Sequence, residues 1–98
     1  MNKAIEVVIF KAKAGVEPSQ LKRTALAIAP RIQTLPGFVR REFAEAEDGT
    51  YVDIVHWQDM ASAHAAAEAV KTIPECGAFF SLIDGSTVQM LHFTSVTS

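Results

Sequence analysis

The chain has 98 residues, 49% of them hydrophobic and 20% charged, which suits one domain with one modest core and excludes disorder. Nine Lys and Arg against eleven Asp and Glu leave a formal charge of −2, so the basic footprint of a nucleic-acid or anionic-membrane binder is missing. Cys76 is the single cysteine, which excludes an internal disulfide and a zinc site built on a Cys pair, and no apolar run approaches the roughly 20 residues of a membrane helix.

The opening "MNKAIEVVIF" leads straight into a strand-like run without a small-residue cleavage site. No signal peptide is therefore expected, and the expected location is the cytoplasm. Residues 3–13 read as a first strand, with Ile5, Val7 and Ile9 on one face and Val8 and Phe10 on the other. Apolar residues on both faces mark a strand covered on both sides.

"GVEPSQ" breaks that pattern. Pro18 suits a helix's first turn, and Leu21, Ala25, Ile28, Ile32 and Leu35 follow at helical spacing. The spacing predicts an amphipathic helix over residues 18–34, kinked or irregular near Pro30 and ended by "LPG" at 35–37.

"FVRREFAEAE" (38–47) is a more charged second strand, expected at a sheet edge. Asp48-Gly49 predicts a two-residue hairpin turn into a third strand at 50–58. That turn would set Trp57 opposite Arg40, His56 opposite Arg41, Ile54 opposite Phe43 and Asp53 opposite Ala44. Asp59 is a candidate cap for a second helix, "MASAHAAAEAVKTI", whose apolar stripe is Met60, Ala63, Ala67 and Val70 with His64 at its border. Its alanines favour helix and allow close packing. "PECGAFFSLID" (74–84) reads as a short helical turn carrying Phe79 and Phe80, and "STVQMLHFTSV" (86–96) as the last strand.

The order strand, helix, strand, strand, helix, strand predicts a single α+β domain spanning residues 1–98. Its expected form is a ferredoxin-like four-stranded antiparallel sheet with two helices on one face and the first and third strands central. Whichever face the helices take, the other keeps either Ile5, Val7 and Ile9 or Val8 and Phe10, with matching residues of the third strand. Burying five or six such side chains is worth roughly 10 kcal/mol as an upper estimate. A homodimer through the open sheet face is therefore expected.

Asp53 shares a strand face with Tyr51 and Trp57. In an apolar pocket it would be a general base; alternatively it pairs with Arg40, Lys11 or Lys13 on a neighbouring strand, or with backbone N–H groups. Trp57 either stacks on an aromatic ligand or packs in the core with a cation–π contact to Arg40. His64 would transfer a proton or steady an anion, or is a half-exposed helix residue. His56 reads as interface polarity, His92 as a satisfied sheet histidine and Cys76 as buried filler. Tyr51, Phe79 and Phe80 are bulky enough to shape a cavity or simply fill a core. No metal-ligand spacing and no phosphate-binding glycine loop occur.

"PGF", a charged strand, an acid-Gly hairpin and a strand closing in "HWQDMASAHAAAE" together resemble the antibiotic biosynthesis monooxygenase-like family. The resemblance covers nearly the whole chain and implies a dimeric α+β barrel of ferredoxin-like protomers. It also implies a pocket between sheet and helices, and cofactor-independent oxygenation of a phenol- or quinol-type aromatic. In its monooxygenases a strand Trp and an amide residue four earlier line the pocket. Trp57 matches the first, whereas Asp53 stands in place of the amide, a departure because a carboxylate only accepts. The haem-degrading members pair the Trp with a first-strand Asn, which "AIEVVIFKA" lacks, so no cofactor is expected. On this resemblance Asp53 and His64 are the candidate catalytic residues, and Tyr51, Trp57, Phe79, Phe80 and Arg40 the candidate substrate contacts. The alternative is a non-catalytic dimer that binds a small apolar molecule or is purely structural.

Overall fold

The computed structural model describes residues 2–97. Four strands, β1 (Ala4–Lys11), β2 (Phe38–Glu45), β3 (Thr50–Trp57) and β4 (Gln89–Thr94), form one antiparallel sheet in the order β2-β3-β1-β4. The expected ferredoxin-like α+β architecture is thus present, with the first and third strands central.

The first helical segment is interrupted where Pro30 forbids continuity. α1 spans Pro18–Ala27, and α2 spans Ala29–Ile32 after a break at Ile28. Proline lacks the amide N–H and crowds the carbonyl four residues back. Leu21, Ala25, Ile28 and Ile32 are nevertheless all buried on one continuous stripe. α3 (Met60–Ala69) starts at Asp59, whose carboxylate accepts from the Ser62 N–H at 2.7 Å. It tightens into a 3-10 turn at Val70–Thr72 before α4 (Pro74–Phe80). The buried alanines of α3 are Ala63 and Ala66, one position off the predicted stripe at Ala67. β4 is shorter than expected because residues 85–87 form a 3-10 turn, where the Asp84 side chain accepts from Ser86.

The hairpin register differs from expectation by one residue. Ala46 N–H donates to Thr50 O and Gly49 N–H to Ala46 O, so the loop is Glu47-Asp48-Gly49, with Gly49 at φ +87°. A three-residue loop with glycine in the left-handed region replaces the predicted two-residue turn. A register slip of one exchanges faces. Asp53 therefore opposes Phe43, Ile54 opposes Glu42 and His56 opposes Arg40. A bulge between Phe38 and Arg40 then sets Phe38 opposite Trp57, so the expected contact of Trp57 with Arg40 is replaced by an edge-to-face contact with Phe38 at 5.9 Å.

The helices cover the face that carries Phe10 on β1 and Tyr51, Asp53, Val55 and Trp57 on β3, all buried. The opposite face keeps Ile5, Val7 and Ile9 on β1 and Val52 and Ile54 on β3 only partly buried. On β4, Leu91 and Phe93 are 43% and 49% exposed. Half of this sheet is greasy and uncovered.

Candidate functional site

Between the sheet and the helices lies a cavity of about 320 Å³, within the size range of small-molecule sites. Its floor is the sheet: Glu6, Val8 and Phe10 of β1, and Asp53, Val55 and Trp57 of β3. Ile28 and Ile32 close one side and Cys76 and Phe79 another. Ala66 and Ala67 of α3 supply the roof, and their lack of bulk leaves the space open. Lys71, Phe80 and Met90 line the cavity and are solvent-exposed, which places the mouth between the end of α3, α4 and the edge strand β4.

Asp53 is 8% exposed and held by Arg41. Arg41 Nε donates to Oδ1 and Nη2 to Oδ2, each at 2.8 Å, while Nη1 donates to the Ala25 carbonyl at 2.7 Å. The guanidinium thus ties β2 to β3 and α1. None of the partners suggested by the sequence holds Asp53. The three-residue loop puts Arg41, rather than Arg40, on the helix-facing side. Both carboxylate oxygens of Asp53 are thus taken up by charge-assisted bonds to one guanidinium.

The second carboxylate of the cavity is Glu6, which sequence reasoning passed over. It shares a face with Val8 and Phe10, and an acid on so apolar a strand face was the available signal. Its register partner on β4 is His92, and Glu6 Oε2 lies 3.2 Å from His92 Nε2. Burial pushes the Glu6 carboxyl above the ordinary range, opposed by the charge and hydrogen bond of His92 and reinforced by the Asp53 charge. His92 in turn meets the ring of His64 edge-on, with centroids 5.2 Å apart. His64 itself is exposed on α3 and does not line the cavity.

Trp57 is 2% exposed, and its Nε1–H finds no acceptor among the described residues. An unpaired buried donor costs about 1–3 kcal/mol. Phe79 and Phe80 line the cavity with it, but two other candidate contacts do not. Tyr51 stacks on Phe10 and Phe43, at 5.7 and 5.6 Å, in an aromatic cluster beside the cavity. Arg40 lies opposite His56, away from it. The Cys76 thiol is fully buried, and burial raises its pKa, so it acts as wall. Among the described residues no group of three or more His, Cys, Asp or Glu is arranged to hold a metal ion, and no helix is long and apolar enough to cross a membrane.

No family model matches the sequence, and no curated protein is similar to it. Solved structures are. SnoaB, a cofactor-independent oxygenase from Streptomyces nogalater, superposes with a TM-score of 0.81 at 22% identity, covering 100% of this chain and 97% of that one. A protein assigned as an antibiotic biosynthesis monooxygenase from Bordetella bronchiseptica gives 0.82 at 10% identity, over 98% and 99% of the two chains. The ActVA-Orf6 monooxygenase of Streptomyces coelicolor, solved with nanaomycin D, gives 0.73 at 17% identity, over 99% and 90%. The chain has, from end to end, the fold of the antibiotic biosynthesis monooxygenase-like proteins.

Proposed function

We propose that this protein is a cofactor-independent monooxygenase that takes a small phenol- or quinol-type aromatic into the cavity between sheet and helices. The observation that carries the reading is the make-up of that cavity: apolar walls, a desolvated carboxylate, Glu6, and an indole N–H, Trp57, with no partner among the described residues. A planar ring matches the walls, a hydroxyl supplies a proton to Glu6, and a ring oxygen supplies the acceptor that Trp57 lacks. The oxygenases of the same fold support the reaction class.

The proton acceptor assigned here is Glu6, with Asp53 holding the cavity wall through Arg41. Glu6 takes the phenolic proton, leaving an electron-rich phenolate. The ring carbon para to the oxygen transfers electrons to O2 and bonds to it, and Glu6 returns its proton to the distal oxygen. Glu6 then takes that carbon's own hydrogen as a proton while the O–O bond breaks. The hydroxide released receives this proton and leaves as water. The ring is oxidised to a quinone, one atom of O2 becoming its second carbonyl. The protomer acts within a homodimer closed through the open sheet face.

Oxygen uptake with a panel of phenols and naphthols that carry a hydrogen para to the hydroxyl tests this directly. Uptake by wild type, lost by a hundredfold or more in Glu6→Gln and blocked by Ala67→Phe, supports the reading, since positioned acid–base groups contribute about 10²–10⁴-fold. A second reading, binding without turnover, is favoured by how few polar groups the walls carry. Saturable quenching of Trp57 fluorescence by the same compounds, with no uptake, would establish it instead.

A further inference from the structure

The cavity carboxylate is not isolated, and what it leans on has a chemical consequence. We propose that His92 is a positioning residue for Glu6: it orients the carboxylate toward the cavity and keeps it ionised, ready to accept a proton, with His64 bracing the His92 ring. The inference rests on Glu6 being the base in the function proposed above.

Three observations carry it. Glu6 and His92 are direct register partners on β1 and β4, so the backbone ladder fixes their approach. The bond from His92 Nε2 reaches Oε2 at 3.2 Å; Oε1 is the oxygen left to meet a substrate hydroxyl. Exposure rises outward from Glu6, whose side chain is 13% exposed, through His92 at 22%, to His64 on the surface. The charge state of the partly buried cavity carboxylate is thereby tied to rings that water reaches.

The charged and titratable groups facing Glu6 come from three elements. Asp53 of β3 disfavours its ionisation, and His92 of β4 and His64 of α3 favour it. The Asp53 charge is itself compensated by Arg41. Desolvation is the largest influence and drives Glu6 toward the neutral acid, which has no site for a further proton. His92 is the chief counterweight. Without it, the base would be protonated and idle over more of the pH range.

The test is a titration of the Glu6 side-chain carboxyl carbon by NMR in the ligand-free protein, in wild type, His92→Leu, His92→Gln and His64→Ala. The Glu6 midpoint should lie higher in His92→Leu than in wild type. It should recover partly in His92→Gln, whose amide still donates, and move upward slightly in His64→Ala. An unchanged Glu6 midpoint in a folded His92→Leu protein overturns the proposal. If His92→Leu fails to fold, the same comparison between wild type and His92→Gln decides it, a lower or equal midpoint in the glutamine variant counting against it. The pH profile of naphthol oxygenation is a separate arm. In His92→Leu most of the neutral-pH rate should be lost and then regained as the pH is raised, which structural damage alone would not produce. A Glu6 midpoint that moves while the profile does not would leave the His92 role standing and remove Glu6 as the base.

Discussion

At the scale of single residues, two carboxylates on neighbouring strands have opposite fates because their partners differ. Asp53 has a guanidinium in bidentate geometry. Removing one member of a buried pair costs about 3–5 kcal/mol, whereas replacing both with apolar residues of similar volume is often neutral. Asp53→Ala should therefore lower stability by several kcal/mol in urea unfolding, and Arg41→Met with Asp53→Leu should recover most of it. Glu6 has a histidine, and desolvation is the largest influence on its carboxyl. Its carboxyl is raised in the fold, so the stability it contributes is complete below the ordinary glutamate value, near 4.3, and is lost as the pH climbs through the raised folded value. Glu6→Gln, which mimics the neutral acid, should match wild type in thermal unfolding at acid pH and melt higher at neutral pH.

At the scale of elements, the cavity depends on how β2 and α3 are aimed. Gly37, at φ +85°, ends the turn before β2, and its carbonyl accepts from the Gln58 N–H at 2.7 Å. A Cβ there would overlap the Ser62 side chain of α3, whereas one at Gly49 would meet no atom within 4 Å. Both positions are left-handed, which costs a non-glycine residue about 1–2 kcal/mol; overpacking adds about 1–3 kcal/mol more at Gly37 alone. Guanidinium unfolding should accordingly rank Gly37→Ala well below Gly49→Ala. "PGF" and "DG" are both visible in the sequence, but only the packing of α3 over the strand end makes one glycine more costly to replace than the other.

At the scale of the whole molecule, the open face governs. Ile5, Val7, Ile9, Val52, Ile54, Leu91 and Phe93 share it, a contiguous apolar surface of the kind that marks association sites. His56 belongs to the same face, and burial together with the Arg40 charge lowers its pKa. Light scattering at micromolar concentration should give twice the chain mass for wild type and the single-chain mass for Val7→Lys. A well-behaved wild-type monomer would leave this face without its explanation.

Hydrophobic periodicity, the turn residues and the prolines determined the element order, the central strands and the greasy second face, because each follows from spacing along one element. The Trp57 position and the small alanines over it were legible for the same reason. What only the tertiary structure decided is who meets whom across strands. One extra loop residue after Ala46 reassigned Asp53 from Arg40 to Arg41 and carried Arg40 out of the site, and one bulge at Val39 set Phe38 opposite Trp57. Pairing across a sheet repeats every two residues, so a one-residue error reverses every partner. Glu6 and His92 lie 86 residues apart in the chain, and no local pattern connects them; only the β1–β4 register does.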